Sequence, residues 1–431
     1  MKTQINKTCI LLLASFMMFV VGCTKDDSPG PELDENGEVV NPEQGGQIVS
    51  GDSSLNSFLI TSNDESVVTV DAQSGQEQVI FTFEDLTNIE VLPEYNNGKI
   101  FVTTDDNAVN AIGPDAKNLI WDTPMLDYKF SSLGLTPPVC IDGVCYASGG
   151  FGVVVALDEN TGDLKWYYAT DPEGELDNVL NEAETPIVRG DKVYIFTDEG
   201  FISDLLPYLH ILDKNTGQLL QKLELPFEVT GIPVFEENTL YLPAKNMYAL
   251  DVETFAIKWM FEADGVSTPS ILNGRMAFQA NPLDDSISSV LYCLDADSGN
   301  LQWQVDTGFD NIWSPIIIKN VVFGIYDEAS QFAFSRNGRP FAVSLDSGRQ
   351  LWYRDNVSVD HSPVYANGRL FFHGHDIGRS DDTDNNVGLL SMDANTGEVL
   401  WLNNSFRYQR TITPLVVAEN GVFGPSYYRG K

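Results

Sequence analysis

Three of the chain's four histidines, His361, His373 and His375, fall in one short stretch together with Asp376. A His-x-His pair on a strand puts both imidazoles on the same side, which a divalent metal can use. The plainer alternative is the polar end of a loop, and no metal is assigned. Asp382-Thr383-Asp384-Asn385-Asn386 is similar to a calcium loop, but the Gly at position six and the Glu at twelve are missing. Asp105-Asp106 and Asp284-Asp285 read as solvated turns. There is no Ser–His–Asp set, Gly-rich phosphate loop or Cys-x-x-Cys motif. No residue is assigned a catalytic role, and no cofactor is expected.

The elements that must position any such chemistry come from a repeat. Its best copy is Ala156-Leu157-Asp158-Glu159-Asn160-Thr161-Gly162-Asp163-Leu164-Lys165-Trp166. The anchor Asp recurs as Asp71, Asp158, Asp213, Asp251, Asp295 and Asp393, with Gly113 and Ser344 in the same slot. Eight residues later stands Trp121, Trp166, Trp259, Trp303, Trp352 or Trp401, with Val79 and Gln221 in the other two copies. Apolar residues before the Asp (Val153, Val155, Leu157) make a strand, and Asp-x-x-Thr-Gly makes a tight turn whose Gly takes positive φ. A second strand then carries the Trp. Burying roughly 150–250 Å² each, the tryptophans are expected to wedge successive repeats together.

A second series alternates with the first. Pro138-Val139-Cys140-Ile141-Asp142-Gly143-Val144-Cys145-Tyr146 is one copy, and others begin at Pro93, Pro186, Pro233, Pro269, Pro315, Pro363 and Pro414. Asn97-Gly98, Asn273-Gly274 and Asn367-Gly368 are preferred two-residue hairpin turns. Eight Pro-led and eight Asp/Trp hairpins make eight four-stranded units. The hairpin at Pro414 has no Asp/Trp partner after it, and the hairpin at Asp71 has none of the Pro-led kind before it, only the strand-like Phe58-Leu59-Ile60-Thr61. The expected fold is all-β: an eight-bladed propeller of four-stranded antiparallel blades, closed by pairing of N- and C-terminal strands.

The Ala-x-Asp-x-x-Thr-Gly-x-x-x-Trp pattern resembles the tryptophan-docking motif of the pyrroloquinoline quinone (PQQ)-like propeller repeat. Asp158, Gly162 and the six aligned tryptophans carry the resemblance, which spans residues 52–431. That superfamily holds both PQQ-dependent alcohol dehydrogenases and BamB-type outer-membrane assembly lipoproteins. The resemblance therefore implies fold more than function.

Lys2 and Lys7 precede an apolar run from Ile10 to Val21, too short to span a bilayer comfortably and suited to a signal peptide. It ends Val20-Val21-Gly22-Cys23, which resembles a bacterial lipobox, so residues 1–22 read as signal and Cys23 as the lipidated first residue. Thr24-Lys25-Asp26-Asp27 resembles the export signal of surface lipoproteins in Bacteroidota, favouring the cell surface over the periplasmic face. Residues 23–51 read as a flexible acidic tether. The net charge of −37 falls by two to −39 when Lys2 and Lys7 leave. A chain this acidic repels nucleic acid and anionic lipid, so contact with the membrane is expected through the anchor alone. Cys9 leaves with the signal, and Cys293 reads as packing. Cys140 and Cys145 flank the Asp142-Gly143 turn two positions out, opposite each other, and a disulfide is expected; two free core thiols are the alternative.

If the Pro-led hairpins are innermost, both short turn types lie on one face and the variable connections on the other. Residues 167–184, 197–207, 280–289, 325–340 and 373–388 are the longer ones, which marks that face for binding. Phe201, Leu205, Leu206 and Tyr208 make one of them conspicuously apolar and are candidate partner contacts; packing down over the ring is the alternative. Three functions follow. A PQQ-dependent dehydrogenase is disfavoured, since the adjacent cysteines, Glu/Asn/Asp calcium site and Cys-x-x-Cys-His haem signature that the resemblance would bring are absent. A surface glycan-binding protein could use Tyr167-Tyr168, Tyr326, Phe332, Phe334 and Tyr427-Tyr428. The reading adopted is a non-catalytic, lipid-anchored scaffold resembling BamB, whose partners are outer-membrane proteins, a β-barrel complex among them.

Overall fold

The computed structural model describes residues 58–423 apart from 64–65, 84–88, 90–92, 107, 114–117, 125–135, 150–151, 171–178, 184, 202–205, 284–287, 309–311, 328–337, 360, 377–386, 407–414 and 419–420. The described chain is all-β, built from antiparallel sheets of four or five strands and one of nine, and contains no α-helix. No helix among these residues is long and apolar enough to cross a membrane.

The Asp158 unit shows how sequence makes a sheet. Val139–Ile141, Val144–Gly149, Val153–Asp158 and Leu164–Ala169 lie side by side in chain order. The two middle strands are buried almost throughout because neighbouring units cover both their faces, so they read as continuous apolar runs. The outer strand has solvent on one side, and there only Trp166 is buried. Asp142 and Gly143 both take positive φ, at 53° and 78°, as a type I′ hairpin turn requires. The Asp158 carboxylate accepts the Asn160 amide at 3.0 Å and the Thr161 amide at 3.3 Å, closing the second turn. Both turns lie at the same end, since the Glu159 amide donates to the Gly143 carbonyl at 3.0 Å. Equivalent bonds run from Ala296 to Gly274 and from Ala394 to Gly368.

Each Trp-bearing hairpin has a register shift just before the bulky residue, which leaves a small side chain opposite the indole: Ala111, Ala156, Ala249, Cys293, Ala342 or Ser391. The indole then reaches the next unit. Trp121, Trp166, Trp259, Trp303, Trp352 and Trp401 donate to the carbonyls of Glu159, Lys214, Ala296, Leu345, Ala394 and Ala72 at 2.7–3.2 Å. Each acceptor is the residue after an anchor. The ring lies flat on that turn's glycine: a Cβ on Gly162 would stand 2.7 Å from the Trp121 ring. Glycine is thus needed there for contact as well as for φ.

Among the described residues the core is divided into eight apolar clusters, each between two units. One of them joins the chain's ends, packing Leu59, Val68 and Val70 against Phe371, Leu389 and Trp401. Phe58–Asn63 pairs with Ser66–Asp71 on one side and Leu415–Ala418 on the other. Two inner strands from the Pro414 hairpin were expected here, but the second position is taken by Phe58–Asn63. Gly421–Phe423 is added beyond Leu415–Ala418 as a fifth strand. The N-terminal segment wins because its apolar residues Leu59 and Ile60 are fully buried in the slot. The first hairpin departs in register too: Val68, not Thr69, faces Val79, and Gln78 stands where the indole would be.

Candidate functional site

The face opposite the short turns is built by lengthened hairpins. The connection expected over residues 197–207 is entered by paired strands from both sides. Lys192–Phe201 and Leu206–Asp213 run on as paired strands to Glu199 opposite Leu206, and Val179–Ala183 pairs alongside from the 167–184 segment. The strands flanking 325–340 and 373–388 also extend, to Asp327 opposite Gly338 and His375 opposite Val387.

Below the tip of the longest hairpin lies a polar chain that links two units. His210 is fully buried on Leu206–Asp213. Its Nε2 is 2.5 Å from Glu199 Oε1, and its Nδ1 is 2.7 Å from the hydroxyl of Tyr168 in the preceding unit. A carboxylate only accepts, so in the neutral imidazole Nε2 carries the hydrogen and Tyr168 donates to Nδ1. Lys222 donates to the other Glu199 oxygen at 2.6 Å and lies over the Tyr208 ring, 4.1 Å from its centroid. Burial and the Glu199 charge push Tyr168 up to about 12, so its hydroxyl stays a donor. Burial would raise Glu199, yet the hydrogen bonds from His210 and Lys222 hold it below its ordinary value. Tyr168 and Tyr208 are therefore braced from within, while Leu206, two residues before Tyr208 on the same strand, is 46% exposed. Nothing in sequence reasoning flagged His210. The available signal was its place in an apolar strand, where a buried imidazole must find partners.

The other expected residues are distributed as follows. His373 is buried on Arg369–Asp376, and its ring centroid lies 6.3 Å from that of His361. Burial lowers the pKa of His375, opposed by Asp376 and reinforced by Arg339. Among the described residues no three or more His, Cys, Asp or Glu side chains gather as a metal site. Cys140 and Cys145 are directly paired and joined as a disulfide, with Cα atoms 4.0 Å apart. Cys293 is a free, buried thiol that burial pushes up to about 11, which suits packing. Tyr326 is turned edge-on to Tyr353, with ring centroids 5.9 Å apart. Cys23, Leu205, Asp382–Asn386, Phe332, Phe334 and Tyr427–Tyr428 lie outside the described residues, as does the Phe201 side chain.

The arrangement offers a braced, partly apolar ledge and no converged nucleophile, base or metal set among the described residues. Against known proteins, residues 63–207, 208–312 and 288–421 match the profile of a family described as outer membrane protein assembly factor BamB. A tetrathionate hydrolase from Acidithiobacillus ferrooxidans is 24% identical over 68% of this chain and 61% of its own length. An outer membrane protein assembly factor BamB from Yersinia pestis is 23% identical over 63% of this chain and 66% of its own. The chain thus spans less than two thirds of either relative. Among solved structures, BamB from Moraxella catarrhalis superposes with a TM-score of 0.52 at 15% identity, covering 73% of this chain and 92% of that one. A quinohemoprotein alcohol dehydrogenase from Comamonas testosteroni gives 0.51 at 16% identity over 81% and 69%. Both likenesses speak to the fold alone, which an outer membrane protein assembly factor and an alcohol dehydrogenase share.

Proposed function

The chain belongs to the family of outer membrane protein assembly factor BamB, and from that membership we propose that it is a non-catalytic scaffold for outer-membrane proteins. In this reading, eight blades close into one propeller, a lipid on Cys23 ties it to the outer membrane, and the lengthened hairpins hold the partner. The Thr24–Asp27 segment favours the cell-surface side. Closure is supported by the pairing of Phe58–Asn63 with Leu415–Ala418 and by the Trp401 indole bonded to Ala72.

One observation carries the interaction reading. The Lys192–Phe201 and Leu206–Asp213 hairpin is fixed from beneath by the Tyr168–His210–Glu199–Lys222 chain, yet it exposes Leu206. A rigid support under exposed apolar groups suits a preorganised contact. Affinity capture of the tagged full chain from its own membranes tests it. The expected result is recovery of an outer-membrane β-barrel protein by the wild type and its loss with Leu206→Asp. Recovery of glycan-uptake components instead, or equal recovery by both forms, would overturn the reading.

A further inference from the structure

Six junctions between units carry the indole staple, and two do not. At the junction from the Asp213 unit to the Asp251 unit three positions change together. Gln221 stands in the tryptophan slot, the residue opposite it is Ile211 rather than a small one, and the receiving glycine is Phe255. Phe255 keeps the left-handed backbone, φ 55°, that the turn demands. A Phe adopts that conformation only at a cost. Its side chain packs against the cluster of Tyr194, Leu209 and Leu240, so the volume lost with the indole is partly restored from the other side. The indole's bond to the next unit is not restored; the junction instead has Arg189 donating to the Glu237 carbonyl and lying over the Phe235 ring, 5.3 Å from its centroid.

At the junction from the Asp71 unit to the Gly113 unit the pattern recurs differently. The bulge has moved, Val79 is 55% exposed, and the sequence places Lys117 in the glycine slot. Packing there centres on Ile60, Ile100 and Ile112, with Phe58, Phe81, Phe83 and Tyr95 around them and no indole.

In a repeat architecture each interface contributes its own stability, and partial opening follows the weakest ones. We infer that these two junctions are seams at which the ring opens first, dividing it into an arc of three units (Gly113, Asp158, Asp213) and an arc of five. The inference rests on the closed ring proposed above. A partner bridging both arcs would be sensed by the seams, since its binding opposes their opening.

Thiol labelling of the folded full chain tests this in a Cys293→Ala background, where the Cys140–Cys145 sulfurs are bonded. Leu240→Cys reports the Gln221 seam and Leu212→Cys the stapled Trp166 junction; both leucines are fully buried. Leu240→Cys is expected to label roughly tenfold faster, the effect of one missing hydrogen bond of about 1.4 kcal/mol. Restoring the staple with Gln221→Trp, Ile211→Ala and Phe255→Gly brings its rate down to that of Leu212→Cys. Equal rates, or faster labelling at Leu212→Cys, overturn the seam, and the unrepaired pair decides this even if the triple variant fails to fold. Leu59→Cys, in the cluster joining the chain's ends, separates the two claims. If it labels fastest, ring closure fails; if it labels as slowly as Leu212→Cys, closure stands and the seams are judged by the first comparison.

Discussion

Gly162 and Gly274 take nearly the same backbone, φ 74° and 73°, but differ in what a Cβ would meet. At Gly274 there is no atom within 4 Å, so Gly274→Ala bears only the left-handed conformation, about 1 kcal/mol. At Gly162 the new carbon would lie 2.7 Å from Cδ2 and Cε3 of Trp121 and 2.6 Å from the Thr123 hydroxyl. Trp121 must shift, giving up its bond to the Glu159 carbonyl, about 1 kcal/mol, and contacts in a close-packed site, about 1–3 kcal/mol more. Gly162→Ala should therefore cost roughly 3–5 kcal/mol in all. In a Trp121→Ala background the same change should cost only about 1–2 kcal/mol, because the Thr123 hydroxyl alone remains to be displaced. Urea midpoints at unchanged slope, followed by circular dichroism, give these differences. If Gly162→Ala is no worse than Gly274→Ala, or its penalty survives the loss of Trp121, the docking account is wrong.

Opening the Cys140–Cys145 bridge with paired alanines should cost about 2 kcal/mol, given the short loop it closes, and a reducing agent should reproduce the shift in denaturation midpoint. Acid should weaken the fold through the turns. Asp158, Asp213, Asp251 and Asp295 are held below their ordinary 3.8, led respectively by the Asn160 amide, the Thr216 hydroxyl, the Thr254 amide and the Ser298 hydroxyl. Depressed carboxyls stabilise above the unfolded value, and that contribution is lost as pH falls through the folded one. Melting temperature should thus be insensitive to these groups above about pH 5 and drop below about pH 4; a drop already complete at pH 6 would assign the loss elsewhere. Tyr168→Phe should destabilise by about 1 kcal/mol, and His210→Ala by more, about 2–3 kcal/mol, because it leaves the half-buried Glu199 short of a donor. Equal midpoints for these two variants would contradict the brace.

Much of the fold was legible because it is written repeatedly. Asp158, Gly162 and Trp166 recur at fixed spacing, and the physics of each copy, a capped turn, a positive φ and a buried indole, can be read without its neighbours. What single copies cannot reveal is compensation across a junction. Gln221 in the tryptophan slot does not by itself show that Ile211 faces it or that Phe255 packs on the neighbouring cluster. The end pairing was foreseeable in kind but not in strand order, since a three-residue apolar strand such as Gly421–Phe423 has little to distinguish it from its competitor Phe58–Asn63. The candidate ledge was visible as an apolar stretch at Leu206 and Tyr208. Its support was not, because the Tyr168–His210 bond spans 42 positions and two repeats.

The proposed role is tested most directly in living cells by a photo-crosslinking residue placed at Leu206, on the long-hairpin face, and separately at Asp163, exposed on the short-turn face. The account predicts adducts with an outer-membrane protein from position 206 and none from 163. Adducts from 163 alone, or no protein adduct from either site in a chain that is folded and membrane-bound, would contradict it.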